Sequence, residues 1–451
     1  MKRVSYKMKN SRMLLVLAMV LLSVVVCACG AGDNGTSVSS TNIDNKNIDN
    51  SNMNNDSSVI ASDNQPNEDG SYFIIDENAE AVHATLDDWD KIDEQFDRLT
   101  NVHDNVYVNE DEKYSELTVS LNNIIDSGKI SGTLVVATDH EIIFAAGTGA
   151  YDIYGNLVSM DTTYGIGSIN KTFTAVCIMQ LIEEGKVSLD DTIDKYFPEY
   201  KYGSEITVYD LLHMCSGLPG IGLSKGSDTT REDRYNMVRY CEYYDDYFFY
   251  NCIYPGELTF EPGTDMKYCN TNYFLLARIV QIVSGQTYAS YVTANIIDPL
   301  ELGHTSLGCV MDITSRTADP DFTPDYMSTM EKTLTGYGAM HSAPLDLLKF
   351  DRAIFGAKLF SEDTLDIMTE MNFDYGCGWI SEDSKLCHYH QREEASKTRN
   401  IYHDGSVFSF RTSNCVLNVD GERLYIIWCN SAYTDLDVLI YDACQTYVEG
   451  L

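Results

Sequence analysis

Apolar residues recur at helical spacing at Leu117, Leu121, Ile124 and Ile125, and Gly128 follows as a stop, so a helix is predicted just after Glu112. Residues 132–137 and 141–146 are β-rich runs separated by Thr138-Asp139-His140, the pattern of a hairpin. A glycine-punctuated segment, Tyr164-Gly165-Ile166-Gly167, then turns into an amphipathic run that predicts a helix from Ser168 to Gly185. From there to about residue 370 the periodicity is mostly helical, with long loops. Strands return at 408–418 and 423–430 around Asp420-Gly421, and residues 436–448 are again helical in period. There are no internal repeats. Terminal helices flanking an antiparallel sheet, with a mostly helical lobe inserted between its strands, predict one α+β body in two lobes.

The first 111 residues follow other patterns. Lys2, Arg3, Lys7, Lys9 and Arg12 precede an apolar run from Leu14 to Val26 that is too short to span a membrane, so residues 1–28 read as a secretory signal. The run ends in Val26-Cys27-Ala28-Cys29. This resembles a bacterial lipobox, with Cys29 the better lipid acceptor because small Ala28 precedes it, whereas bulky Val26 precedes Cys27. Residues 29–70 are rich in Asn, Ser, Asp, Gly and Thr and cannot bury a core, which predicts a disordered tether. Residues 71–111 form an N-terminal extension. In it Trp89, Ile92, Phe96 and Leu99 stand at helical spacing after Thr85-x-x-Asp88, an acidic helix that either packs on the body or docks elsewhere. The body is expected over 112–451.

Charge narrows the partners. The 451 residues carry a net charge of -37, so a nucleic-acid backbone would be repelled. The expected setting is the extracytoplasmic face of a bacterial membrane, reached through the lipid anchor. Of the thirteen cysteines, the eleven within the body are scattered through apolar runs such as Ile426-Ile427-Trp428-Cys429 and show no CxxC spacing. Most read as buried free thiols, with one or two disulfides among them.

Ser168-Ile169-Asn170-Lys171 is the only Ser-x-x-Lys in the chain. On a helix, position i+3 shares a face with i, so Lys171 can reach the Ser168 hydroxyl and take its proton. Alone the pattern is weak, and a Ser N-cap followed by a solvated Lys explains it as well. Two later patterns change this. Tyr268 and Asn270 are two apart, a spacing that on an extended segment points both side chains one way, as a proton shuttle and a carbonyl-side anchor. His403-Asp404-Gly405-Ser406 leads into a strand. Gly405 would let substrate approach the strand edge, and the Ser406 backbone N–H would pair with that of Ser168 as an oxyanion hole.

With these motifs the chain resembles the serine β-lactamase and penicillin-binding-protein superfamily, in its class C-like branch with D-Ala-D-Ala carboxypeptidases and esterases. Neighbouring segments match as well: Val208-Tyr209-Asp210-Leu211-Leu212 with Ser216-Gly217-Leu218-Pro219, Asn270-Thr271-Asn272-Tyr273, Gly336-Tyr337-Gly338-Ala339-Met340 and Tyr375-Gly376-Cys377-Gly378-Trp379. The resemblance covers about residues 112–450. It implies that Ser168 is acylated and that Lys171 and Tyr268 share acid and base work. Lys171 would be kept neutral by burial or a neighbouring cation. Asn270 would orient Lys171 and the substrate amide, and His403 stands where many relatives carry lysine. The resemblance also implies a small molecule or cell-wall peptide as substrate, and neither metal nor organic cofactor is required.

Asp404 departs from the pattern, since relatives that bind a substrate carboxylate usually carry threonine there. Two carboxylates 4 Å apart repel by about 1 kcal/mol even in water. If Asp404 faces the pocket, it tips the expectation toward an esterase-like or D-amino-acid-peptidase-like hydrolase. D-Ala-D-Ala carboxypeptidase or β-lactamase activity, or a non-catalytic penicillin- or peptidoglycan-sensing lipoprotein, are the alternatives. Arg411 could offset the charge. Cys387 with His388-Tyr389-His390 invites a metal reading but has no third ligand at matched spacing, so no metal is expected. The tyrosine-rich run 240–254 either lines a substrate groove or packs the helical lobe.

Overall fold

The computed structural model describes residues 106–127, 131–149, 157–220, 253, 256–307, 335–382, 384, 400–407, 410–419, 422–430 and 436–450. The leader with Cys29, the tether, the acidic helix, the tyrosine-rich run apart from Ile253, and the His388–His390 loop lie outside these residues. Among the described residues no helix is long and apolar enough to cross a membrane.

Strands β1 (Val106–Val108), β2 (Gly132–Thr138) and β3 (Ile142–Thr148) and helix α1 (Ser115–Asp126) open the body. Strand β1 pairs with β3, with Tyr107 opposite Ala145, so the sheet already starts within the stretch expected to be an extension. Next come β4 (Tyr164–Gly165), α2 (Asn170–Glu183), α3 (Asn270–Ser284), β5 (Ser306–Leu307), β6 (Met340–Ser342), α4 (Pro344–Phe355) and α5 (Glu362–Thr369). Strands β7 (Ile380–Ser381), β8 (Ile401–Val407), β9 (Phe410–Val419) and β10 (Glu422–Asn430) and helix α6 (Leu436–Glu449) complete it.

Among the described residues the main sheet has seven strands in the order β1-β3-β2-β10-β9-β8-β7, with every pairing antiparallel. The first and last parts of the chain therefore meet in its centre, where Val135 stands opposite Ile427. Strands β2 and β3, apart from the last residue of each, and most of β10 are buried on both faces instead of alternating, because helices cover both faces. Terminal helices α1 and α6 pack together, and α4 packs on β2 and β10. A second, three-stranded sheet, β4-β6-β5, ties the start of the nucleophile segment to the helical lobe. The fold is α+β, as the patterning predicts.

Helix α2 differs from its expectation. Every residue from Asn170 to Leu181 is buried, so it is a central helix wrapped on all sides and not an amphipathic one. Its polar residues are satisfied inside the lobe: Thr172 Oγ1 donates to the Gly378 carbonyl at 2.9 Å. The seven described body cysteines, Cys177, Cys215, Cys269, Cys377, Cys415, Cys429 and Cys444, are all buried free thiols. Cys241, Cys252, Cys309 and Cys387 lie outside the described residues.

Candidate active site

Ser168 sits in a single 3-10 turn, Gly167–Ile169, that runs into α2. Gly167 takes a left-handed φ of +50°, which turns the chain sharply before the serine and leaves Ser168 only half-buried. Lys171, in the first turn of α2, is 0% exposed, and its Nζ lies 2.9 Å from Ser168 Oγ. Nζ also donates to the Tyr337 carbonyl at 3.1 Å, and it stands 4.9 Å from the centre of the Tyr268 ring.

Burial is the main cause that holds the lysine's pKa well below its usual value, because an ammonium loses its hydration there. Of the two causes expected, burial or a neighbouring cation, the first operates. A neutral amine at hydrogen-bond distance from a hydroxyl can take its proton.

Tyr268 is partly exposed, and its hydroxyl lies near enough to Ser168 to feel that hydroxyl. Desolvation raises the phenol's pKa, the nearby Ser168 hydroxyl pulls it down, and the Asp404 carboxylate pushes it up again. Asn270 departs from the extended arrangement expected for it. It is the first residue of α3, and Cys269 alone keeps extended dihedrals as the N-cap. Asn270 Oδ1 is buried without a hydrogen-bond partner, so Asn270 does not hold Lys171; the Tyr337 carbonyl does.

His403, Asp404, Gly405 and Ser406 all lie within β8 itself, not ahead of a strand. Alternation puts His403, Gly405 and Val407 on the buried face, while Asp404 is half-buried and Ser406 exposed. The glycine has a packing reason: a Cβ at Gly405 would stand 1.8 Å from the Ile166 carbonyl oxygen, because β8 crosses the nucleophile turn at backbone contact. This, and not room for substrate, is what the position demands here. At the same crossing the Ser406 backbone nitrogen lies 2.6 Å from where a Gly167 Cβ would be, which brings that amide beside the serine turn.

The His403 imidazole is buried between two partners. Its Nδ1 lies 2.9 Å from the Asp404 carbonyl, which can only accept, so Nδ1 carries the proton. Nε2 then accepts from the Tyr375 hydroxyl at 3.0 Å. Burial, with a smaller contribution from the Lys171 charge, lowers its pKa to about 3. His403 is thus a neutral ring, and it supplies no positive charge where a lysine would stand.

Asp404 faces Ser413 across the β8–β9 ladder, and Arg411 faces Ser406. Although its side chain alternates away from His403, its charge still reaches the Tyr268 hydroxyl. Spacing along the chain singles out neither the Tyr337 carbonyl nor Tyr375 as site residues, although both sit in the glycine-flanked segments Gly336-Tyr337-Gly338 and Tyr375-Gly376. Among the described residues there is no cluster of His, Cys, Asp or Glu able to hold a metal ion.

Residues 117–440 match the Beta-lactamase family. Protein flp of Staphylococcus aureus (strain NCTC 8325 / PS 47) is 30% identical over 198 residues, 42% of this chain, and the match spans only 38% of that protein's length. Among solved structures, FmtA from Staphylococcus aureus aligns with a TM-score of 0.57 at 20% identity, covering 80% of this chain and 96% of that one. D-amino acid amidase from Ochrobactrum anthropi SV3, complexed with L-phenylalanine amide, aligns with a TM-score of 0.56 at 19% identity, covering 73% and 99%. At these identities the structures share the fold.

Proposed function

The chain belongs to the beta-lactamase family, and from that premise we propose that it is a serine hydrolase cleaving a carboxylic ester or amide through an acyl-Ser168 intermediate. The observation that carries the reading is the fully buried Lys171 with Nζ 2.9 Å from Ser168 Oγ. Lys171 takes the hydroxyl proton as Oγ bonds to the substrate carbonyl carbon. The backbone N–H groups of Ser168 and Ser406 receive the charge that develops on the carbonyl oxygen. As the tetrahedral adduct collapses, Tyr268 passes a proton to the departing oxygen or nitrogen and recovers one from Lys171. Water, giving a proton to the same pair, then bonds to the acyl carbon; the bond to Ser168 Oγ breaks, Oγ takes that proton back, and the acid leaves. Asn270 opens α3 with its Oδ1 buried and takes no part in these steps. His403 packs the floor as a neutral ring.

Asp404 sets the substrate class in this reading. Its charge reaches Tyr268, so a substrate carboxylate at that end of β8 meets like charge. That disfavours penicillins and D-Ala-D-Ala ends and favours esters or amides without a carboxylate there, including D-amino-acid amides. The leader and Cys29 support attachment to the outer face of a bacterial membrane.

Treating the purified protein with a labelled fluorophosphonate, with labelled penicillin in parallel, tests the proposal. Fluorophosphonate labelling that disappears in Ser168→Ala is expected, with weak penicillin labelling that Asp404→Thr increases. Absence of labelling by both probes, or labelling that survives Ser168→Ala, would sink it. Strong penicillin labelling of the unaltered protein would instead favour carboxypeptidase or β-lactamase activity.

A further inference from the structure

Between Ser168 and Lys171 stands Asn170, a polar residue that the reaction above does not use. It is completely buried, an environment that a carboxamide tolerates only when its donors and acceptor are engaged. Asn170 Oδ1 accepts from two consecutive backbone groups, Gly338 N at 3.0 Å and Ala339 N at 3.1 Å. Its Nδ2 donates to the Tyr288 hydroxyl at 2.9 Å. That hydroxyl lies 2.7 Å from Thr174 Oγ1, which is in turn 2.6 Å from the Gly336 carbonyl and 3.1 Å from the carbonyl of Asn170 itself. The Gly336 carbonyl can only accept, so the proton directions run one way, from the Asn170 amide through Tyr288 and Thr174 to Gly336. Asn170 therefore holds residues 338 and 339 directly and residue 336 through Tyr288 and Thr174. The carbonyl in the middle of that grip belongs to Tyr337, the second partner of Lys171 Nζ.

We propose that Asn170 is a positioning residue for the base, its carboxamide fixing residues 336–339 so that the Tyr337 carbonyl keeps one N–H of Lys171 and leaves the amine lone pair to Ser168. A neutral amine has two N–H groups and one lone pair. A carbonyl can engage only an N–H, so a fixed carbonyl on one side turns the lone pair toward the hydroxyl on the other. When the serine proton crosses to Nζ, the same carbonyl faces an ammonium, and the bond becomes charge-assisted. The contact is thus stronger after proton transfer than before, which places its effect in the rate of acylation and not in substrate binding. The inference rests on Ser168 being acylated.

The test follows the rate of fluorophosphonate labelling of the full chain against pH, with thermal melting as a control for folding. Asn170→Leu removes the grip. Tyr288→Phe leaves the Oδ1 contacts but breaks the relay to Gly336, and it touches none of the reacting groups. Labelling is expected to slow by about tenfold in Asn170→Leu, part of the roughly 10²–10⁴ that a placed proton acceptor supplies, and by a smaller factor in Tyr288→Phe. In both, the acid limb of the profile should move to lower pH, because an ammonium that loses its carbonyl partner gives up its proton more easily. Unchanged rate and unchanged acid limb in folded variants would overturn the inference. So would a slower rate with the acid limb unmoved, which would mean only a loosened lobe. If Asn170→Leu does not fold, Tyr288→Phe decides by the same two readouts. Wild-type protein that is never labelled would instead overturn the acyl-Ser168 reading itself.

Discussion

Lys171 Nζ reaches to 2.9 Å from Ser168 Oγ at the end of a side chain with no exposed surface. The pair is one helical turn of sequence, but its chemistry comes from the walls around it. Tyr268, Tyr337 and the buried turns of α2 strip water from the amine, and the amine becomes a base by losing its charge.

Lys171→Met separates catalysis from stability. Labelling of Ser168 should fall by roughly 10²–10⁴, the usual contribution of a positioned base. Because the folded pKa is lowered from 10.5, the folded protein binds fewer protons than the unfolded chain between the lowered value and 10.5. Wild-type stability therefore rises with pH through that window, and the full cost of the buried lysine is felt below it. Lys171→Met should melt higher than wild type at neutral pH, with the gap closing as pH approaches 10.5. Thermal melts across pH check this; a lower melting temperature for the variant at neutral pH would contradict it.

The pH dependence of labelling should carry the marks of Lys171 and Tyr268, and not of His403. With its pKa near 3, His403 stays neutral at working pH. Activity should rise on the acid side as Lys171 loses its proton and fall only in strongly alkaline solution, where Tyr268 ionises from a raised pKa. Asp404→Asn removes one of the causes that raise Tyr268, so its alkaline limb should move to lower pH while the acid limb stays. An acid limb that disappears in His403→Gln would contradict this assignment.

Gly405→Ala should cost more than a methyl group usually does. The added Cβ would stand 1.8 Å from the Ile166 carbonyl oxygen, and both are backbone-bound, so the strand or the nucleophile turn must move. A loss of about 3 kcal/mol in unfolding free energy is expected, the upper end for overpacking, together with loss of labelling as Ser406 N shifts from the serine turn. Denaturant titration and labelling measure the two effects.

A second titratable group lies outside the reacting centre. Asp351 on α4 is fully buried, and its Oδ1 accepts from Asn414 Nδ2 at 2.9 Å. Its Oδ2 and the Asn414 Oδ1 are buried without hydrogen-bond partners. Burial raises its pKa from 3.8 to about 8. The folded state then binds the extra proton between these values, so stability from this group is complete at low pH and is lost as pH rises toward 8. Asp351→Asn should be more stable than wild type above pH 8 and show a flatter stability profile from 4 to 8; urea titrations at several pH values measure it.

Much of the site is legible in the sequence, because short-range spacing carries it. Ser168 and Lys171 must meet if the segment is helical. The order of Tyr268-x-Asn270 and His403-x-Gly405 marks the segments that converge on them. The reasons for individual residues are less legible. Gly405 reads as space for substrate, yet it is glycine because Ile166 passes against it. Asn270 reads as the partner of Lys171, yet that place belongs to a carbonyl 166 residues along the chain. A backbone carbonyl has no signature in a sequence, since every residue carries one.

What this sequence determined by itself is local and periodic: the β runs at 132–137 and 141–146, the terminal helices, the α+β class and the residue types of the reacting groups. Burial and approach come instead from how the elements pack. Helix α2 reads as amphipathic, but the lobe closes around all of it, because helices α3 and α5 pack against it. That closure desolvates Lys171 and makes His403 a neutral ring. Both effects depend on how much water reaches a side chain, a property of all its neighbours at once and not of any spacing along the chain.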